Sequence, residues 1–320
     1  MEDESVIVSV CIPTYKHKKW LMRCVNSILS QQTNFYFEIL IGVEFDDLET
    51  INFLPEIKQQ KRYELKYLIS SEEKLVYING SRSGRGNFNN LLNSTNGKYI
   101  AICDGDDYWT DPLKLQKQAD FLESNSKYVA CYGGCKHVDE NDNLIKKSRF
   151  SNYASPTSDL LLRAQGALIT NSVMFRNVIN GFPPEFINVP SGDTIIYHLL
   201  GFHGHGKFLP DLGYSAYRIH SGGIWSGTNK VKRMQNTTQT LSAIKTNLIR
   251  HFGEKSEHVM KMDEVYFNGV KGYLFNTIKN LEFNSYFKML QVVLKQNSFN
   301  KKNLLKNHLI DLFKRVFKKK

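Results

Sequence analysis

Two aspartates two residues apart, Asp104 and Asp106, directly follow the apolar run Ile100 to Cys103. In extended chain that spacing points both carboxylates to one side, and two carboxylates held together repel unless a cation joins them. Hard oxygen donors of this kind suit Mg²⁺ or Mn²⁺ shared with a diphosphate, with one or two protein carboxylates in the shell. Gly105 between them lets the backbone turn and a ligand approach closely. An EF-hand is excluded, because counting from Asp104 the fifth position is Tyr108 and the twelfth is Leu115.

Other polar residues stand at comparable places. Pro13, Thr14 and Tyr15 follow the run Val6 to Ile12, and Glu44 follows Phe37 to Val43. Ser191 and Gly192 lead into Asp193 and the apolar stretch Thr194 to Leu200. Asp193 therefore reads as a helix N-cap, and a helix N-terminus favours the ionised carboxylate that a general base needs. His220 closes the run Tyr214 to Ile219 and opens a glycine loop with Trp225 at its tip, a loop able to close over a ligand. Arg82 and Arg85 are candidate diphosphate contacts. No Walker-type string occurs, and Gly84-Arg85-Gly86 continues to Asn89 where a dinucleotide fingerprint needs glycine. Asp139 to Asn143 reads as a hairpin turn, His203 and His205 as a loop, and Cys131 and Cys135 as buried thiols.

These groups need a scaffold that gathers distant stretches. Strand-like runs at Val6 to Ile12, Phe37 to Val43, Leu65 to Ile69 and Tyr99 to Cys103 alternate with helical patterns at Lys18 to Ser30, Asp47 to Lys61, Asn87 to Ser94 and Pro112 to Ser124. The last helix is expected to be capped by Asp111. Such alternation implies an α/β fold with a mostly parallel sheet covered on both faces, whose ligands bind beyond the carboxyl ends of the strands. The residues above then converge on one rim. Mixed runs at Tyr128 to Val138, Leu144 to Arg149, Ala167 to Phe175, Lys207 to Leu209 and Gly213 to Ile219 add strands. From Val231 onward the patterns are helical, over 231–250, 257–280, 284–296 and 303–317.

With 320 residues, 41% apolar, 23% charged and 12% aromatic, the chain is globular rather than disordered. Of its net charge of +11, seven units sit in the last twenty residues, which hold eight Lys or Arg and one Asp. The near-balanced remainder argues against nucleic acid as a partner. Leu305, Leu309, Leu312, Phe313, Val316 and Phe317 share one helical face among those lysines, the pattern of an interfacial helix on anionic lipid over 303–320. No apolar run approaches the roughly 18 to 20 residues of a membrane span, and the acidic opening lacks the basic start of a secretory signal. With five cysteines, an odd number, the expectation is a cytoplasmic protein, peripheral on the inner membrane face.

In that order, the strings VSVCIPTYKHKKWLMRCVNSILSQ, FEILIGVEF, GKYIAICDGDDYWTDPLKLQKQ, SGD and YRIHSGGIWSG resemble an inverting glycosyltransferase of family 2, of bacterial surface-polysaccharide type. The resemblance covers about residues 5 to 228. It implies a GT-A fold, Rossmann-like, with a nucleotide-binding half over about 1–110, an acceptor half over 111–228, and a helical region over 229–320. It further implies that Pro13, Thr14, Tyr15 and Glu44 hold the nucleotide base, and that Asp104 and Gly105 hold the rest of the nucleotide. Asp106, Asp104 and His220 would hold Mn²⁺ or Mg²⁺, and Asp193 would be the base. The donor would be a nucleoside-diphosphate sugar, UDP-linked, and the acceptor a glycan or lipid-linked hydroxyl, with Trp109 and Trp225 as sugar-stacking platforms. The chain departs from the usual pattern at Glu44, where aspartate is common, and at Gly192, where an acidic neighbour of the base is common. Two other functions use similar parts: a nucleotidyltransferase, which releases pyrophosphate, and a non-catalytic nucleotide-sugar or glycan-binding protein in which Asp193 is only a cap.

Overall fold

A computed structural model of the chain describes residues 5–59, 63–145, 154–165, 168–223, 228–280, 282–295 and 299. The first half runs β1 (Val6–Thr14), α1 (Lys18–Leu29), β2 (Tyr36–Val43), α2 (Leu48–Phe53), β3 (Tyr63–Ile69), β4 (Val76–Ile78), β5 (Ser81–Ser83), α3 (Arg85–Asn93), β6 (Tyr99–Ile102), β7 (Tyr108–Trp109) and α4 (Lys114–Ser124). The second half runs β8 (Tyr128–Tyr132), β9 (Cys135–Val138), α5 (Ser158–Leu162), β10 (Val173–Arg176), α6 (Gly192–Leu200), β11 (His205–Phe208) and β12 (Ser215–Arg218). Helices α7 (Lys230–Phe252), α8 (Glu257–Lys279) and α9 (Phe283–Lys295) follow.

Seven strands form one sheet in the order β11-β8-β10-β6-β1-β2-β3, and all run the same way except β10. The β-branched alternation of β1 and β2 explains the burial of both faces. Val8, Val10, Ile12, Ile39 and Ile41 pack against Leu21, Cys24, Val25 and Ile28 of α1, while Cys11 and Leu40 face Leu91 of α3 on the other side. A smaller sheet pairs β12 with β7 and β9. A second core joins α7, α8 and α9 to Leu162, Phe186, Val189 and Ile195, so the C-terminal helices pack against the segment that carries Asp193.

Several local expectations shift for identifiable reasons. The helix expected over 47–61 is one and a half turns, passing at Leu54–Glu56 into a 3₁₀ turn that contains Pro55. The run from Tyr128 breaks at Gly133 and Gly134 into two strands of different sheets. His205 is not in a loop but opens the edge strand β11, where its Nδ1 accepts the Ser158 N–H at 2.9 Å. The segment after Ile78 is a hairpin turned at Asn79 and Gly80, both with positive φ (52° and 71°), the two-residue turn that Asn-Gly favours. Asp139 does close a hairpin turn, its carboxylate accepting the N–H groups of Asn141 and Asn143. All five cysteines are free and buried. Among the described residues no helix is long and apolar enough to cross a membrane. The basic segment 303–320 lies outside them.

Candidate functional site

The register of β1 with β2 and β6 sets three polar clusters side by side. Thr14 pairs with Val43, next to Glu44, and Cys11 pairs with Ile102. Beyond the strands the backbone contact continues, with Gly105 N–H donating to Pro13 C=O at 3.0 Å. Gly105 is required for space: a Cβ there would lie 2.6 Å from Thr14 Oγ1 and 2.7 Å from Thr14 Cβ. The Asp104–Asp107 segment is not extended, because Asp107 N–H closes a turn onto Asp104 C=O at 2.9 Å. The extended backbone that the spacing argument assumed is therefore absent at the Asp104–Asp106 pair.

Asp106 faces two histidines. Its Oδ2 lies 3.0 Å from His220 Nε2, and its Oδ1 lies 3.6 Å from His17 Nδ1. These three residues are the group of ligand-type side chains, among the described residues, whose donor atoms all fall within 4.8 Å of one another. Asp104 is not in it. Burial pushes the Asp106 carboxyl up, but the His220 hydrogen bond and the His17 ring outweigh it and hold the group below its ordinary value. Burial holds the His17 imidazole below its usual range against the pull of Asp106. Asp104 behaves oppositely: its carboxyl is pushed up to about 8, first by burial and then by the negative charges of Asp106 and Asp193. A single carboxyl thus feels both the Asp106 turn and the start of α6.

Asp107, whose neighbour Asp106 bears the histidines, is a structural tie. Its carboxylate accepts Asn171 Nδ2 at 2.9 Å and Arg218 N–H at 2.8 Å. Arg218 Nε in turn donates to Asp106 C=O at 2.8 Å, so β12 is locked to the turn and carries His220 to Asp106. Trp20 of α1 completes the wall, its ring 4.5 Å from that of His220.

Asp193 is exposed and lies in the first turn of α6, not at its N-cap. The helix starts two residues earlier than expected because Ser191 takes a left-handed conformation, φ 60°, and turns the chain into it. The Asp193 Oδ1 accepts the Thr194 N–H at 2.7 Å. Behind it lies Arg85, a buried residue whose Nη2 donates to Val189 C=O at 2.6 Å and whose guanidinium rests against Gly192. The small residue at 192 thus leaves room for a cation beside the carboxylate.

At the other end of the rim, Glu44 and Asp46 are paired. Arg82 Nη2 donates to Glu44 Oε2 at 3.2 Å and to Asp46 Oδ1 at 2.7 Å, its guanidinium lies 4.8 Å from the Tyr15 ring centre, and Ser70 Oγ donates to Glu44 Oε2 at 3.1 Å. Arg82 is therefore engaged by the carboxylates of Glu44 and Asp46.

Trp109 is corrected outright. It is 4% exposed, inside the main core, with Nε1 donating to Asn171 C=O at 2.7 Å and Lys114 Nζ 4.1 Å over its ring, so neither face is open to a sugar. Trp225 lies outside the described residues. Asp111 does not cap α4 directly; it caps the preceding turn through Leu113 N–H at 2.9 Å and pairs with Lys117. Sequence reasoning missed His17, Trp20 and the stabilising role of Asp107. His17 was findable, since it stands three residues beyond Thr14 on the rim that the strand pattern had already placed.

Buried polar atoms without hydrogen-bond partners collect around this rim: Thr14 Oγ1, His17 Nδ1, Asn87 Oδ1 and Arg85 Nη1. A carboxylate with imidazoles beside it, unpartnered nitrogen included, is a donor set that fits a divalent cation.

Comparison with known proteins gives a consistent picture. The glycosyl transferase family 2 model matches residues 9–179. An uncharacterised protein of Mycobacterium bovis is 26% identical over 226 residues, 68% of this chain, which spans 60% of that relative's length. The Escherichia coli UDP-Glc:alpha-D-GlcNAc-diphosphoundecaprenol beta-1,3-glucosyltransferase WfaP is 24% identical over 238 residues, 74% of this chain and 86% of WfaP. The crystal structure of S. aureus TarS 1-349 in complex with UDP superposes with a TM-score of 0.53 at 15% identity, covering 90% of this chain and 81% of that one.

Proposed function

We propose that this chain, which belongs to glycosyl transferase family 2, transfers a sugar from a UDP-linked donor to a hydroxyl of a glycan or lipid-linked acceptor, with inversion, in surface-polysaccharide synthesis. It is a nucleotide-sugar glycosyltransferase with a GT-A-like α/β fold and C-terminal helices α7 to α9. The choice of UDP is supported by the TarS complex and by the donor named for WfaP, and a lipid-linked acceptor by the diphosphoundecaprenol of the WfaP acceptor. The observation that carries the proposal is the cluster of Asp106 with His220 and His17 beyond the carboxyl ends of β1 and β6, with Asp104 near enough to Asp193 for that charge to help raise its carboxyl.

On this reading Pro13, Thr14, Tyr15 and Glu44 receive the base, and Asp104 with Gly105 receives the ribose and diphosphate. Asp106 and His220, with Asp104 adjacent, hold the divalent cation. Such a cation supplies charge stabilisation to the departing diphosphate. Asp193 accepts the proton of the acceptor hydroxyl as that oxygen bonds to the anomeric carbon from the face opposite the nucleotide. The bond from that carbon to the diphosphate breaks, and UDP leaves with the electron pair. Arg85 lies within electrostatic reach of Asp193, and Arg218 holds the Asp106 backbone through its carbonyl. Residues 1–228 carry the chemistry, with the nucleotide half ending near 110. Helices α7 to α9 buttress the acceptor half, and the basic segment 303–320 is the candidate membrane contact.

A panel of nucleotide sugars, offered with and without Mn²⁺ and a lipid-linked acceptor, tests this. The expected products are a nucleoside diphosphate and a glycoside of inverted configuration by NMR. Pyrophosphate release, or retained configuration, would overturn it.

A further inference from the structure

His17 has no task that the fold requires. It is the residue before α1, but its side chain makes no capping hydrogen bond; only its carbonyl does, accepting from Trp20 and Leu21. Its Nδ1 is buried without a hydrogen-bond partner, and the 3.6 Å to Asp106 Oδ1 is too long to count as one. The ring is nevertheless fixed. Lys16, just before it, is left-handed (φ 59°) and donates its N–H to Asp47 Oδ2 at 2.5 Å, and the imidazole stands edge-on to Trp20 and to His220. An unpartnered nitrogen held in one orientation beside an Asp–His pair is what a third ligand looks like before its ion arrives. Two adjacent ligands of one cation, each about 2.1 Å from it, stand roughly 3 Å apart, close to the 3.0 and 3.6 Å found here.

We propose that His17 joins Asp106 and His220 as a ligand, making a two-histidine, one-carboxylate centre that selects a first-row transition ion such as Mn²⁺ over Mg²⁺. This rests on the metal-dependent reading above and narrows it. A site of carboxylates alone suits Mg²⁺, which holds its waters tightly and takes oxygen donors. Two imidazoles shift the preference to ions that accept nitrogen. The remaining positions of such a centre stay open for diphosphate oxygens, and the ligands come from the residue before α1, from the turn after β6 and from just beyond β12. Binding the ion therefore ties both halves of the fold together.

The test is Mn²⁺ and Mg²⁺ titration calorimetry of the full chain in the presence of UDP, for wild type, His17→Gln and His220→Gln. Pulsed EPR of the Mn²⁺ complex is run alongside to count coupled imidazole nitrogens. The wild type is expected to bind Mn²⁺ about tenfold or more tighter than Mg²⁺ and to show two imidazole couplings. His17→Gln should lose about 10- to 100-fold in Mn²⁺ affinity, keep little preference over Mg²⁺, and show one coupling. The EPR count on the wild type stands even if a variant misfolds. One coupling in the wild type, or unchanged Mn²⁺ affinity in folded His17→Gln, overturns the role of His17 and leaves the Asp106–His220 reading intact. No binding of either ion to the wild type, with UDP present, overturns both.

Discussion

The base corner, where Glu44 is proposed to receive the nucleotide base, and the carboxylate corner lie on the same rim but are assembled by opposite means. At the base corner Glu44, Asp46, Arg82 and Tyr15 satisfy one another through ion pairs and a stacked guanidinium. At the carboxylate corner, Asp104 is pushed up first by burial and then by its negative neighbours, while Thr14 Oγ1 and His17 Nδ1 lack partners. The first corner is complete by itself, and a ligand there exchanges with existing contacts. The second is electrostatically frustrated, and a ligand relieves it. Buried polar groups left unpaired cost about 1–3 kcal/mol each, so those kept at the carboxylate corner mark a place where the fold gives up stability for binding.

The comparison can be broken in three ways. Asp193→Asn should have the largest effect: turnover falls by about 10²- to 10⁴-fold, while UDP affinity, by calorimetry, stays as in the wild type. Gly105→Ala comes next. Its new Cβ collides with Thr14, so chemical denaturation should show a loss of about 2–3 kcal/mol, with weakened UDP binding. Arg82→Met opens the paired corner and leaves the buried Glu44 with Ser70 alone. Because Arg82 and Asp46 are partly exposed, the stability cost is about 1–2 kcal/mol, and the kinetic effect is a raised donor KM with little change in kcat. If Arg82→Met instead abolished kcat, the distinction between the corners would fail.

The smallest effect comes from a control away from the rim. Lys114 is buried in the core, against Trp109 and Gln118, and burial lowers its ammonium to about 8 from 10.5. Below pH 8 folded and unfolded chains both carry the charge, and the burial penalty is fully present. Between pH 8 and 10.5 the unfolded chain holds more protons, so this residue's contribution to stability rises with pH. Lys114→Met should therefore be more stable than wild type by about 1 kcal/mol at pH 7, the loss of the Gln118 bond offsetting part of the gain. Thermal melts should show that advantage vanishing near pH 10. A destabilised Lys114→Met at pH 7 would mean that buried charge in this fold is not penalised as argued.

The rim was largely legible because alternating β-branched runs and amphipathic helices fix strand direction, and direction fixes which end Pro13, Glu44 and Asp104 occupy. What escaped was tertiary. His17, Asp106 and His220 lie about a hundred residues apart from one to the next, and no local pattern couples them. Trp109 misled because its side chain follows an exposed-looking acidic turn, yet pairing of β7 with β12 folds it inward. The early start of α6 depends on the left-handed Ser191, which a serine in sequence does not advertise. The β4–β5 hairpin, by contrast, was signalled by Asn79-Gly80 and passed over. Arg82 on that hairpin has carboxylate partners that only the assembled structure identifies.

Anomalous diffraction from crystals soaked with Mn²⁺ and UDP tests the central claim most directly. The account predicts a Mn²⁺ peak against Asp106 and His220, with the diphosphate beside it and the Asp193 carboxylate facing the open side across a gap the size of one sugar. A peak elsewhere, or an Asp193 side chain opening onto a different surface from the bound diphosphate, would contradict it.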